Sequence, residues 1–160
     1  MYGTVLLVHS LLRYAILILV LVILYRAVTG VRRGGPFDIF DRKLSMAYMA
    51  TVHTHVLLGI LLFAVMSPIT QAAFAQMGLA MKDKLLRFWT VEHTFMGLLV
   101  AVLVTVAHVR TKRIAARAGD DAGPKAYKHM LVMNLIAFVV MLAMIPWPFR
   151  KVIGRAMLPL

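Results

Sequence analysis

The chain contains no cysteine, which excludes disulfides, iron–sulfur clusters and thiolate-ligated haem together. Acidic residues are scarce, with six Asp and Glu against 18 Lys and Arg. No glycine-rich phosphate loop is present and carboxylates are few, so neither a soluble catalytic triad nor a nucleotide site has support. Repeats and low-complexity segments are absent. The first residues, Met1-Tyr2-Gly3-Thr4, lack the positive region and small-residue cleavage site of a signal peptide, so the first segment is expected to stay as a helix.

What the chain has in abundance is apolar residues: 62% of the sequence, with a mean hydropathy of +0.86. An ordinary soluble domain is closer to half apolar. Four stretches, roughly 4–26, 44–67, 86–109 and 127–145, are long enough to span a bilayer, which takes about 20 helical residues each. Little chain is left over. The expected fold is all-α: a single four-helix transmembrane domain over residues 1–160 with short connections.

The net charge of +12 would suggest nucleic acid in a soluble protein. Here the cations flank the apolar stretches, so anionic lipid headgroups and topology explain them better and no nucleic-acid partner is expected. The first connection holds Arg26, Arg32, Arg33, Arg42 and Lys43 around the helix-breaking Gly34-Gly35-Pro36. The third holds Lys112, Arg113, Arg117, Lys125 and Lys128 around a turn at 120–124. With Arg110 these two connections carry eleven cations, against six in the second connection and the C-terminal segment. The positive-inside rule then puts both termini in the periplasm of a bacterial inner membrane. The second connection, 69–85, carries Ala72, Ala73, Phe74, Leu79 and Met81, a composition suited to a short interfacial helix. At the far end, Ile145-Pro146-Trp147-Pro148 combines a helix stop with an interface anchor.

The ionisable residues inside the apolar stretches point to function, because charge at that depth is costly. Arg87-Phe88-Trp89-Thr90-Val91-Glu92-His93 leads into the third stretch and carries Glu92 and His93 with it. At about 1.5 Å rise per residue, His9 and His93 fall near one depth towards the outer face. His53 and His129 fall within roughly 6–9 Å of each other towards the inner face. Facing helices that each supply an imidazole hold haem in bundle cores, so two such pairs predict two haems b and a route for electrons across the membrane, with a single haem shared by segments two and three as the alternative. His53 and His55 lie about 200° apart around their helix, and geometry from sequence leaves open which of them is the ligand. A single such histidine is also compatible with a hydrogen-bonded packing role, and His108 reads as interfacial. Arg13 and Glu92 lie at similar depth and either neutralise each other or leave Arg13, or Arg87 at the surface, to bind a haem propionate.

Four elements carry a resemblance: His9-Ser10-Leu11-Leu12-Arg13-Tyr14, Val52-His53-Thr54-His55-Val56-Leu57-Leu58-Gly59, the stretch from Arg87 to His93, and Ile145-Pro146-Trp147-Pro148. Over nearly its whole length the chain resembles small four-span bacterial membrane proteins labelled "cytochrome b". The resemblance implies a b-type haem protein with His9, His53 and His93 at motif positions, and so prefers His53 to His55. The layout is also similar in architecture to transmembrane di-haem cytochromes that reduce ascorbate or quinone pools. The expected function is electron transfer between quinone and a partner redox protein, with the segment 69–85 capping a quinol pocket and a second copy of the chain as a candidate partner. A non-redox accessory or assembly subunit and a metal-ion-binding membrane protein are the alternatives.

Overall fold

The structure is a computed structural model that describes residues 1–117, 119 and 121–156. Asp120, part of the expected third turn, lies outside the described residues. Four long apolar helical segments run Tyr2–Arg33, Ile39–Met66, Lys84–Ala115 and Ala122–Met144. They are built from α1 (Tyr2–Arg33), α2 (Ile39–Leu61), α6 (His93–Ala115) and α7 (Ala122–Met144), with the short α3 (Pro68–Ala75), α4 (Met77–Ala80) and α5 (Lys84–Arg87) between α2 and α6. The short helices fill the second connection, where an interfacial helix is expected. α1 packs on α2 and α7, and α6 also packs on α2 and α7. α1 therefore faces α6 diagonally across the bundle.

The outside of this bundle is apolar. Ile18 on α1, Leu57 on α2, Phe95 on α6 and Val139 on α7 are each more than half exposed (63%, 67%, 65% and 59%). Helices that are apolar all round belong in a membrane, and a soluble monomer does not expose apolar surface on this scale. The core between them is small and close: Val20, Ile23, Ala27, Val52, Val104, Met130 and Ala137 are buried almost completely.

Helix ends follow local chemistry. α1 continues past the expected boundary near residue 26 because nothing stops it until Gly34, whose φ of 70° forms a left-handed cap with its N–H on the Gly30 carbonyl at 3.1 Å. Arg32 and Arg33 in that last turn complement the negative end of the helix dipole. At 32 residues α1 is about 48 Å long, longer than the roughly 30 Å hydrocarbon layer, and its basic end projects beyond it. Asp38 caps α2 by accepting from the Asp41 N–H at 2.8 Å, and Asp83 caps α5 by accepting from the Leu86 N–H at 2.8 Å. Ser67 caps α3, with Pro68 at its first position, where a missing N–H costs nothing.

Two π-helical turns interrupt the spans, Leu62–Met66 after α2 and Phe88–Glu92 before α6. In the second, the N–H of His93 reaches back to the carbonyl of Phe88, one residue further than in an α-helix. A single extra residue in a turn shifts every later side chain around the axis by about 100°.

At the end of the bundle away from the termini, Arg26 of α1 grips α2. Its Nε and Nη2 donate to the two Asp41 oxygens at 2.6 and 2.9 Å, and Nη2 also donates to Asp38 at 2.8 Å. The hydroxyl of Tyr127 on α7 donates to the same Asp41 carboxylate at 2.5 Å. Beside it, Gly30 lets α1 lie directly against the Tyr127 ring, where a Cβ would overlap the ring atoms. The ring is tethered by its hydroxyl and cannot swing aside. Gly30→Ala is therefore expected to destabilise the bundle by roughly 1–3 kcal/mol, read as a lower unfolding temperature in detergent. An unchanged midpoint would show that α1 and α7 can part without penalty.

Candidate functional site: a histidine cluster around an apolar cavity

At the opposite end, where Tyr2 and Ala156 bring both described termini together, three helices each deliver an imidazole. His9 comes from α1, His55 from α2 and His93 from the first residue of α6. His9 and His55 are stacked, with ring centroids 3.8 Å apart and planes inclined by 16°. His9 and His93 stand edge to face at 6.4 Å. All three line a cavity of about 360 Å³ whose other walls include Arg13, Val52, Trp89, Met141 and Met144.

Hydrogen bonding fixes the tautomers of the diagonal pair. The Nδ1–H of His9 donates to the backbone carbonyl of His55 at 3.2 Å. The Nδ1–H of His93 donates to the carbonyl of Met144 at 3.2 Å. A carbonyl can only accept, so the proton sits on Nδ1 in both rings and Nε2 keeps its lone pair. Metal-ligating histidines commonly donate their other ring N–H in this way. His55 differs: its Nδ1 is buried with no hydrogen-bond partner among the described residues. It contributes a stacked ring and, through its backbone, the acceptor that orients His9.

Two glycines shape the space beside these rings. A Cβ on Gly59 would lie 3.1 Å from Cε1 of His9. Gly97, one turn after His93, faces open space within the cavity lining. The π-helical turn sets the other side of His93. It packs Trp89 and Phe88 against the imidazole, at centroid distances of 5.1 and 5.7 Å. Arg155, from the segment after α7, lies over the Trp89 ring at 4.1 Å and joins the cavity wall.

The remaining three histidines each meet a hydroxyl on a neighbouring helix. His53 Nε2 lies 2.8 Å from Thr105 Oγ1. That hydroxyl already donates to the Ala101 carbonyl at 2.7 Å, so it accepts from His53 and Nε2 carries the proton. His108 Nδ1 is 3.0 Å from Ser45 Oγ, and His129 Nδ1 is 3.1 Å from Thr111 Oγ1. Thus His9 and His93, paired by depth in the sequence, come together, whereas His53 and His129 do not. Their hydroxyl partners are six residues apart on α6, about 9 Å along its axis. The second histidine-bearing position of α2 that faces the cluster is His55, not His53. His129→Ala or Thr105→Val removes one interhelical hydrogen bond and is expected to cost about 0.6–1.7 kcal/mol, measured by unfolding in detergent. A loss several times larger would mark these residues as more than packing contacts.

The arginines also separate. Arg13 lines the cavity, stacks over Tyr14 at 4.9 Å and donates to its hydroxyl at 3.2 Å. Glu92 pairs with Arg87 at 2.8 Å and not with Arg13. Arg87 lines a different cleft, away from the histidine cavity. Sequence reasoning did not single out Trp89, Gly97 or Arg155 as site residues. The signal for Arg155 was the pair Pro146 and Pro148, which stop α7 and turn the chain back until the Arg155 N–H meets the Pro146 carbonyl at 3.1 Å.

No protein-family model, curated protein or solved structure matches the chain, so its function is argued from this site. Among the described residues, no three His, Asp or Glu side chains form a ligand set for a bare metal ion. A porphyrin asks for less, since it supplies four nitrogens itself and needs one or two axial donors. Two imidazoles on opposite sides of one metal, each bonded at about 2.0 Å, have ring centres roughly 6 Å apart. The 6.4 Å between His9 and His93 fits that requirement, as do their unprotonated Nε2 atoms and the apolar cavity beside them.

Proposed function

We propose that the protein is an integral-membrane b-type cytochrome that holds one haem between His9 and His93. What carries this reading is a single arrangement. Two imidazoles from diagonal helices, each fixed by a backbone carbonyl at 3.2 Å with Nε2 unprotonated, line one apolar cavity. Haem bound there supplies one-electron chemistry, and the chain sets its potential through ligands and burial. The chain's own residues bind, orient and dehydrate the cofactor. His9 and His93 would hold the iron, and Val52, Met141 and Met144 on the cavity wall would exclude water. Arg13, on the cavity wall, offers a planar guanidinium to a propionate carboxylate. The electron partners are a membrane quinol or a redox protein, reached from the end that carries the termini. The resemblance carried by the sequence elements implies His9 and His93 as motif positions; its third, His53, is bonded to Thr105 instead.

The test is a pyridine haemochrome spectrum with haem-to-protein stoichiometry on protein expressed with adequate haem. One haem b per chain, low-spin with two histidine ligands, is the expected result. A colourless protein sinks the reading and leaves a non-redox accessory subunit in its place. Orientation has its own test. The cation asymmetry supports an orientation with the histidine cluster and both termini on the periplasmic side of a bacterial inner membrane. Alkaline phosphatase fused after the last residue is therefore expected to be active; activity confined to a cytoplasmic reporter at that point reverses the orientation.

A further inference from the structure

A second cavity, independent of the histidines, opens beside the π-helical turn at the same end of the bundle. Its volume is about 350 Å³, and its lining includes Lys84, Arg87, Glu92, Arg150, Lys151 and Phe88. Residues from two distant parts of the chain meet here, α5 with its π-helical turn and the segment that follows α7. Four cations therefore share one cleft with a single carboxylate.

That carboxylate is already used. Glu92 accepts from Arg87 Nε at 2.8 Å, and Arg87 Nη1 also donates to the Met81 carbonyl at 3.2 Å. Arg150 is anchored from the other side: Nη1 donates to the Ala143 carbonyl at 2.9 Å, and the guanidinium lies over the Phe88 ring at 5.2 Å. The two arginines are thus held in place, and one positive charge is neutralised. The side chains of Lys84 and Lys151 make no ion pair or hydrogen bond with any described residue. Each of the other described carboxylates is committed elsewhere, Asp38 and Asp41 to Arg26, Asp83 to the start of α5, and Asp121 to Lys125. Among the described residues, then, the cleft has no internal anion to balance it.

Its depth and its apolar parts identify the class of ligand. Lys84 opens the third membrane span, Lys84–Ala115, and the post-α7 segment begins where the fourth span ends at Met144. The cleft therefore lies at the boundary between hydrocarbon and water, the level of lipid phosphates. Phe88 forms an apolar base, buried to 2%. Phe149 and Val152 stand out from the adjoining chain, 78% and 55% exposed, and Trp147 stacks on Phe149 at 6.1 Å. A cationic pocket with an apolar base and an exposed apolar flank suits a ligand that is itself anionic at one end and apolar at the other.

We propose that this cleft is a binding site for an anionic phospholipid, with the headgroup phosphate between Lys84 and Lys151 and the acyl chains along Phe149 and Val152. The site is separate from the haem reading and stands or falls without it. The phosphate chemistry could equally be supplied by a free anion, so the test separates the two sources. The full-length protein, purified in neutral detergent, is incubated with phosphatidylglycerol or phosphatidylcholine and examined by native mass spectrometry. Selective retention of phosphatidylglycerol is expected, as is roughly a tenfold or greater loss of that retention in the Lys84→Gln/Lys151→Gln variant. The Lys84→Arg/Lys151→Arg variant keeps the charges and should keep the lipid, which separates loss of binding from loss of fold. Millimolar inorganic phosphate should leave retention unchanged. Equal retention of both lipids, unaltered retention in the glutamine variant, or loss in the arginine variant overturns the site. Displacement by inorganic phosphate also overturns it, in favour of a soluble anion.

Discussion

On the proposed single-haem reading, changing His93 to alanine is expected to remove the haem altogether and not half of it. His9 and His93 line the same cavity, and among the described residues His53, His108 and His129 each meet a hydroxyl and not a second imidazole. Loss of one axial ligand should lower Soret absorbance per protein by more than about tenfold, since even outer-shell changes around a ligated metal cost 10–100-fold in affinity. His9→Ala should behave in the same way. His53→Ala and His129→Ala should keep the wild-type haem content, because each ring is hydrogen-bonded to a threonine, at 2.8 and 3.1 Å, on the neighbouring helix. His55→Leu should also keep the haem, as its side chain stacks on His9 and it is the His55 backbone that orients the ligand. A His93→Gly variant that regains its spectrum with added imidazole would show that the fold survived the loss of the ring. If His93→Ala instead retains half the absorbance and His53→Ala loses the other half, two haems are present and the single-site assignment fails.

The contrast between His9 and His53 shows what the sequence could carry. Depth along a helix is set by residue count alone, so His9 and His93 could be matched by counting from the ends of their spans. Direction around a helix depends on an unbroken period, and two π-helical turns break it. Phe88–Glu92 lies immediately before His93 and Leu62–Met66 lies just beyond His55, neither marked by a proline or glycine within it. Choosing between His53 and His55 required knowing which side of α2 faces α1, which only packing decides. Arg26 was legible merely as one more flanking cation; its pairing with Asp41 depends on how far α1 extends before Gly34. The four spans, in contrast, were plain, because hydrocarbon thickness dictates both their length and their composition.

The largest stability effect is expected at that pairing. Asp41→Ala would leave the Arg26 guanidinium with Asp38 alone and the Tyr127 hydroxyl without its carboxylate. The Asp41 side chain is wholly inaccessible, whereas that of Asp38 is 47% exposed. Stranding a fully buried charge typically costs about 3–5 kcal/mol; Arg26 keeps Asp38 and is itself 27% exposed, so the loss should fall at the lower end of that range. Asp38→Ala should cost roughly 0.5–2 kcal/mol, mainly through the lost helix cap. Replacing Arg26 and Asp41 together by Met and Leu should recover much of the single-variant loss, since well-packed apolar pairs often substitute for buried ions without penalty. Thermal unfolding of the three variants beside the wild type in one detergent would read all three expectations. Equal losses for Asp38→Ala and Asp41→Ala would show that burial does not govern this pair.

The bond from His93 to the Met144 carbonyl spans 51 residues of chain, and it closes only at the last residue of the last span. A ribosome making this protein releases His93 into the translocon well before its acceptor exists. Until α7 has entered the bilayer and docked, the imidazole has no carbonyl to settle its tautomer, and the segment carrying Arg155 has not yet been made. On the proposed haem reading, cofactor capture would be tied to the completion of synthesis, so a chain truncated ahead of α7 should insert its earlier spans without acquiring colour.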